Sequence, residues 1–239
     1  MFAGEDHGDL TARIVPQFVG SILDKLVDLT LAVAAFLDRE NGSSASTLFV
    51  TKKQSESDVQ VILDEGHRLF GENRVQEAMG KWPRLREQYG DTALALIGPL
   101  QRNKIRDAVK LFDRIESLDR LSLATALAQY RDDHGIALPE MYIQVNVGRE
   151  AQKSGVDPEA LLQFHRSCEM ELGLEISGLM AIPPAAEDPR SYFRTLANHA
   201  MELGVPNISM GMSGDFETAI TCGSTQVRLG TVIFGELKK

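Results

Sequence analysis

The run Leu48-Phe49-Val50-Thr51-Lys52-Lys53 ends in two lysines and offers the first chemistry in this sequence. Side chains alternate along a strand, so Leu48, Val50 and Lys52 share one face and Phe49, Thr51 and Lys53 the other. One lysine is therefore expected to point over an apolar interior and the other toward flanking helices. An amine that loses solvation there becomes a competent nucleophile. Two solvated lysines at a strand end are the plainer alternative, since most lysines are exposed. Near the C-terminus, Ser209-Met210-Gly211-Met212-Ser213-Gly214-Asp215 and Arg228-Leu229-Gly230-Thr231 combine small residues with hydroxyls. Small residues let backbone N–H groups approach phosphate oxygens, and Ser and Thr hydroxyls add donors. An amine beside such a cup suits a phosphorylated aldehyde held as a Schiff base.

Other polar clusters are weaker. Gly71-Glu72-Asn73, Gly98-Pro99-Leu100-Gln101 with Asn103 and Lys104, and Asn146 with Glu150, Lys153 and Gly155 all follow apolar runs. Gly, Asn and Glu are also common turn and cap residues. The five histidines (His7, His67, His134, His165, His199) fall on expected helices or the N-terminal arm, without metal-ligand spacing. Trp82, Met79, Met170 and Met201 read as packing residues on helices.

Eight short apolar runs must position these groups: Thr47–Thr51, Arg68–Gly71, Leu94–Gly98, Arg114–Leu118, Met141–Val147, Ile176–Ile182, Ile208–Met212 and Gln226–Leu229. Helical patterns separate them: Glu56–Glu65, Arg74–Gln88, Asn103–Leu111, Arg120–Asp132, Pro158–Met170, Pro189–Leu203 and Phe216–Thr221. Strands alternating with helices indicate βαβ units and a parallel sheet. The fold class is therefore read as α/β, a single-domain (β/α)8 TIM-type barrel. In such barrels the site lies at the C-terminal strand ends, phosphates are held after strands 7 and 8, and closure brings strand 8 beside strand 1. The rival open sheet wants a G-x-G-x-x-G turn, which is absent.

An extra N-terminal helix is expected from Gln17 to about Arg39, with Phe18, Ile22, Leu23, Leu26, Leu29, Val33, Phe36 and Leu37 at helical spacing. Pro16 stands where it could begin, the first sixteen residues read as a loose arm, and Asn41–Ser46 reads as a loop. The expected division is an arm and covering helix over 1–46 and a barrel over 47–239. Of 239 residues, 25 are Lys or Arg and 34 Asp or Glu, a net charge of −9. That balance argues against nucleic-acid and anionic-membrane partners. Two cysteines, Cys168 and Cys222, make no disulfide framework and read as buried or half-buried thiols of a reducing compartment. With no signal peptide or long apolar span, a cytoplasmic location is expected.

Seven ordered motifs resemble the YggS/PROSC family of pyridoxal-phosphate homeostasis proteins, which shares its barrel with the N-terminal domain of alanine racemase. They are Val50-Thr51-Lys52, Phe70-Gly71-Glu72-Asn73-x2-Gln76-Glu77, Ile97-Gly98-x-Leu100-Gln101-x-Asn103-Lys104 and Asn146-x3-Glu150-x2-Lys153-x-Gly155, then Gly178-Leu179-Met180-Ala181-Ile182-Pro183, Ser209-Met210-Gly211-Met212-Ser213 and Val227-Arg228-x-Gly230-Thr231-x2-Phe234-Gly235. The resemblance implies pyridoxal 5′-phosphate (PLP) as cofactor, with Lys52 forming the Schiff base. It places Asn73 beside the ring, Ser213 with Ser209 and the Gly230-Thr231 turn on the phosphate, and Arg228 facing the pyridine nitrogen. Where the family usually carries a histidine before its third-strand Ile-Gly, this chain has Leu94-Ala95-Leu96, so whatever that imidazole contributes is missing.

The family is not known for robust catalysis, and the residues offer a reason. Racemisation wants proton donors on both faces of the ring, and Lys52 serves one. The opposite tyrosine of alanine racemases comes from a C-terminal domain that this chain, ending at Lys239, is expected to lack. An arginine at the pyridine nitrogen also makes the ring a weaker electron sink. The expected function is PLP binding for intracellular buffering and delivery, with PLP-dependent apoenzymes as recipients, in a monomer or weak dimer. The alternative is an amino-acid racemase of the alanine racemase type, for which Tyr142, Tyr192 or a residue supplied across a dimer are the candidate second bases.

Overall fold

The computed structural model describes residues 20–39 and 45–235. The expected arm over residues 1–16, the start of the first helix before Gly20, His7 and most of the Asn41–Ser46 loop lie outside them. Eight strands close into a parallel barrel in sequence order, each paired with its neighbours and β8 with β1. They are β1 (Ser46–Val50), β2 (Leu69–Glu72), β3 (Ala93–Leu96), β4 (Arg114–Leu118), β5 (Glu140–Val145), β6 (Ile176–Ala181), β7 (Asn207–Met212) and β8 (Gln226–Leu229). The expected (β/α)8 architecture is the observed one.

Helix α1 (Ile22–Arg39) precedes the barrel. The alternation then runs α2 (Glu56–Asp64), α3 (Val75–Gln88), α4 (Ile105–Leu111), α5 (Leu121–His134), α6 (Leu161–Arg166), α7 (Arg190–Leu203) and α8 (Phe216–Thr221), ending in the short α9 (Thr231–Phe234). Ser21 and Asp24 cap the start of α1 reciprocally: Asp24 N–H donates to Ser21 Oγ at 3.2 Å and Ser21 N–H to Asp24 Oδ2 at 2.9 Å. Leu26, Leu29, Val33 and Phe36, at helical spacing, are buried where α1 packs against α2 and α9. The helix therefore covers the β8–β1 side of the barrel. No helix among the described residues is long and apolar enough to cross a membrane.

The main apolar core lies between sheet and helices, where Phe49, Phe70, Leu94, Leu96 and Ile143 face Trp82, Leu123 and Phe193. Inside the barrel the character changes. Arg114 Nη1 donates to Gln226 Oε1 at 2.7 Å, joining β4 to β8 directly across the ring of strands. Glu116, Ser209, Gln226 and Arg228 are all buried there, within one hydrogen-bonded set.

Four local expectations are corrected. The fifth strand stops at Val145 rather than Val147, because the chain folds back: Val156 N–H donates to Gln144 O at 2.8 Å and Asn146 N–H to Val156 O at 2.9 Å. Gly155 permits this approach, since a Cβ there would lie 2.5 Å from the Asn146 nitrogen. The expected helix over Pro158–Met170 is divided into a 3-10 turn (Pro158–Ala160), α6 and a π-helical turn (Ser167–Glu171). His67 lies in the α2–β2 connection, not on a helix, with its ring 4.5 Å from that of Phe49. Met79, Met170 and Met201, expected to pack, are exposed, Met170 at 83%. Cys168 is buried, with its thiol pushed up to about 12 by that burial, and Cys222 is half-buried.

Candidate functional site

The C-terminal ends of the strands surround a cavity of about 140 Å³. A cavity of about 150 Å³ accepts a benzene ring, so the volume fits one six-membered ring. Lys52 enters it from the end of β1, Asn73 from β2, Ser213 from the loop after β7, and Arg228, Gly230 and Thr231 from β8 and its turn. Ile97 and Ile182 supply apolar walls.

Local sequence explains each placement. The alternation along β1 holds: Leu48 is buried and Lys52 lines the cavity, while Phe49 and Thr51 face the helices. Lys53 departs from it. Its φ of 59° turns it into solvent, and its N–H donates to Glu77 Oε1. Ser55 then caps α2 reciprocally with Asp58, so the turn carrying Lys52 runs straight into a helix. Lys52 Nζ enters no hydrogen bond or ion pair among the described residues. Asn73 is seated by Gly98, where a Cβ would lie 2.2 Å from the Asn73 carbonyl oxygen.

The loop after β7 is closed by Asp215, whose Oδ1 accepts the Met212 N–H at 2.6 Å and whose own N–H donates to Met212 O at 3.0 Å. Burial pushes the Asp215 carboxyl up, opposed by the Met212 N–H and the Arg228 charge. Ser213 sits inside that loop, and its Oγ accepts the Val232 N–H at 3.3 Å, tying the β7 and β8 loops together. Gly211, at φ 92°, breaks the β7–β8 register between Ser209 and Met212.

That break separates two serines expected to act alike. Ser213 lines the cavity. Ser209 does not: it is fully buried beneath, donating to Glu116 Oε2 at 2.6 Å and accepting from Arg228 Nη1 at 2.7 Å and Gln226 Nε2 at 3.0 Å. Its hydroxyl is already committed, so it supports Arg228 rather than facing an anion. Arg228 also donates from Nη2 to Ala181 O at 2.8 Å. Burial lowers its guanidinium pKa, while Glu116 and Asp215 act in the opposite sense.

Several other groups lie elsewhere. The Glu72 carboxylate turns outward to Thr51, Lys81 and Trp82 rather than standing at the rim. Gln101, Asn103, Lys104 and Glu150 do not line the cavity, and Lys153 pairs with Glu150 and donates to Pro183 O at 3.0 Å. Tyr142 lies inside the barrel against Arg114, 4.9 Å from ring to guanidinium, and Tyr192 donates to Glu187. Neither lines the cavity. Ala95 is buried beside Arg114 at the opposite end of the barrel, bordering a second cavity there. Among the described residues no three His, Cys, Asp or Glu side chains gather to hold a metal.

Sequence reasoning missed Glu116 and Gln226. A signal existed for Glu116, since a carboxylate two residues after Arg114 within a buried strand must face the same interior. It missed Lys81 as well, which only packing brings to β1.

Comparison with known proteins follows the same outline. The family model for the N-terminal domain of alanine racemase matches residues 41–238. A pyridoxal phosphate homeostasis protein of Aquifex aeolicus is 41% identical over 183 residues, covering 72% of this chain and 78% of its own. One from Vibrio cholerae is 37% identical, covering 81% and 86%. PipY of Synechococcus elongatus with PLP bound superposes with a TM-score of 0.74 at 30% identity, over 90% of this chain and all of PipY. Alanine racemase of Clostridium difficile, at 13% identity and a TM-score of 0.70, shares the fold alone. With the barrel, the ordered motifs and these relatives in agreement, the chain belongs to the pyridoxal phosphate homeostasis proteins, within the alanine racemase N-terminal-domain family.

Proposed function

We propose that this chain binds pyridoxal 5′-phosphate at the C-terminal end of its barrel, with Lys52 as the covalent anchor, and serves PLP buffering and delivery without robust catalysis. The observation that carries this is one cavity of ring size lined by Lys52, Asn73, Ser213, Arg228, Gly230 and Thr231 together. PLP supplies an aldehyde that condenses with a primary amine. The names of the relatives and the PLP-bound PipY point to the same group.

In this reading Lys52 offers the amine, and Ser213 with the Gly230-Thr231 turn holds the phosphate. Gly230 keeps that turn close to β1, since a Cβ there would lie 2.9 Å from Val50 O. Asn73 borders the ring. Arg228 faces the pyridine nitrogen, held by Ser209, which takes a supporting part in place of the phosphate contact expected of it. Among the described residues, the lining carries no acid–base side chain besides Lys52 and Arg228. A reaction needing proton donors on both ring faces is poorly served, whereas capture and release of an aldehyde needs one amine.

The same proposal includes apoenzymes as recipients, a monomer or weak dimer, a cytoplasmic setting, and the division into an arm and covering helix (1–46) and a PLP-binding barrel (47–239). Incubation with PLP followed by borohydride should fix the adduct on the peptide containing Lys52, and Lys52→Ala should remove it. Equal labelling of that variant overturns the assignment. Slow, Lys52-independent deuterium entry at Cα of amino acids is expected; rapid Lys52-dependent entry favours a racemase instead.

A further inference from the structure

The turn that carries Lys52 is gripped from outside the barrel by one buried cation. Lys81 on α3 is only 5% exposed, and its ammonium donates to Thr51 O at 2.8 Å and Gln54 O at 3.3 Å, while pairing with Glu72 Oε1 at 2.7 Å. These three contacts match its three N–H donors. The two carbonyls flank Lys52 in sequence, one residue before it and two after. Glu72 Oε1 also accepts from Thr51 Oγ1 at 2.7 Å and Trp82 Nε1 at 3.0 Å. Glu77, one helical turn before Lys81, accepts the N–H of Lys53, the residue held at φ 59°.

A buried ion pair adds little net stability over apolar residues of the same volume, because both charges lose water. Here the pair is spent on backbone groups rather than on packing. Left-handed backbone at a non-glycine residue is costly and persists where its surroundings over-determine it. Both features converge on the four residues Thr51–Gln54.

We propose that Lys81, with Glu72 and Glu77, is a positioning residue for Lys52: the clamp sets the direction in which the Lys52 amine enters the cavity. This rests on the reading of Lys52 as the amine that captures the aldehyde of PLP. The clamp touches no part of the cavity lining on β7 or β8, so it acts on the amine and leaves the phosphate cup alone.

The test uses the full chain and two ligands: PLP, trapped by borohydride and mapped by mass spectrometry, and pyridoxine 5′-phosphate, which keeps ring and phosphate but has no aldehyde. Glu77 is partly exposed, so Glu77→Ala removes the acceptor without opening the core, and Glu77→Gln restores it. Glu72→Gln combined with Lys81→Met removes the clamp without stranding a buried charge. Capture at Lys52 is expected to slow about tenfold or more in Glu77→Ala and in the double variant, as misplacement of a reacting group does. Glu77→Gln should recover the rate, and affinity for pyridoxine 5′-phosphate should hold in all. Unchanged capture, or loss of pyridoxine 5′-phosphate affinity in step with capture, overturns the clamp. If the double variant does not fold, the Glu77 pair decides. Failure of the unaltered chain to capture PLP at Lys52 overturns the cofactor reading itself, and this proposal with it.

Discussion

Arg228 donates from Nη1 to Ser209 Oγ at 2.7 Å, and this bond divides the site into two layers. Above it lie Ser213 and Thr231, which line the cavity. Below it the Ser209 hydroxyl passes the contact on to Glu116, deep inside the barrel. Removing that hydroxyl strands Arg228 Nη1 and Glu116 Oε2 together. Ser209→Ala is expected to cost about 1–3 kcal/mol, the desolvation cost of buried groups left unpaired. Ser213→Ala should change stability far less and weaken phosphate binding more. Denaturant unfolding of the two variants checks the order; a larger loss of stability for Ser213→Ala contradicts it.

Gly98 exists to let Asn73 close. An added Cβ would stand 2.2 Å from a backbone oxygen that cannot swing away. Gly98→Ala should lose about 1–3 kcal/mol through overpacking and shift Asn73 out of the cavity wall. Gly214→Ala is the control, because nothing lies within 4 Å of its added Cβ. Similar melting temperatures for the two would show that the Gly98 approach is not needed.

The covering helix is an integral part of the barrel. Leu29 is buried on α1, and Leu29→Ala should destabilise the chain by about 2–5 kcal/mol, as for other core leucines. A loss below that range, measured by urea unfolding, would mean the helix is loosely attached.

Asp215 gives a pH dependence with a definite sign. Burial holds its carboxyl above the ordinary 3.8, so the folded state binds the proton more tightly than the unfolded chain. Its contribution to stability is complete below 3.8 and is lost as pH rises through the raised folded-state value. Asp215→Asn keeps an acceptor for the Met212 N–H and does not titrate. The melting temperature of Asp215→Asn relative to the unaltered chain should therefore rise from pH 3.8 toward neutrality. A difference that stays flat or narrows is the contrary result.

The eight strands, their parallel order, and the direction of Lys52 followed from the sequence, because apolar periodicity and strand alternation are local properties. A two-residue period decides which face Lys52 shares with Leu48 before any packing occurs. The motifs likewise named Asn73, Ser213, Arg228, Gly230 and Thr231, and all five line the cavity. Ser209 was beyond that reach. Two serines four residues apart look equivalent until Gly211 shifts the register and sends one to the rim and the other beneath Arg228. Glu72 and Lys81 were beyond it too, since a charge in a short motif carries no mark of which layer will bury it. Partners for buried charges come from distant strands and helices: closure of the barrel brought Glu116 to Ser209, and packing of α3 against the strands brought Lys81 to the carbonyl before Lys52.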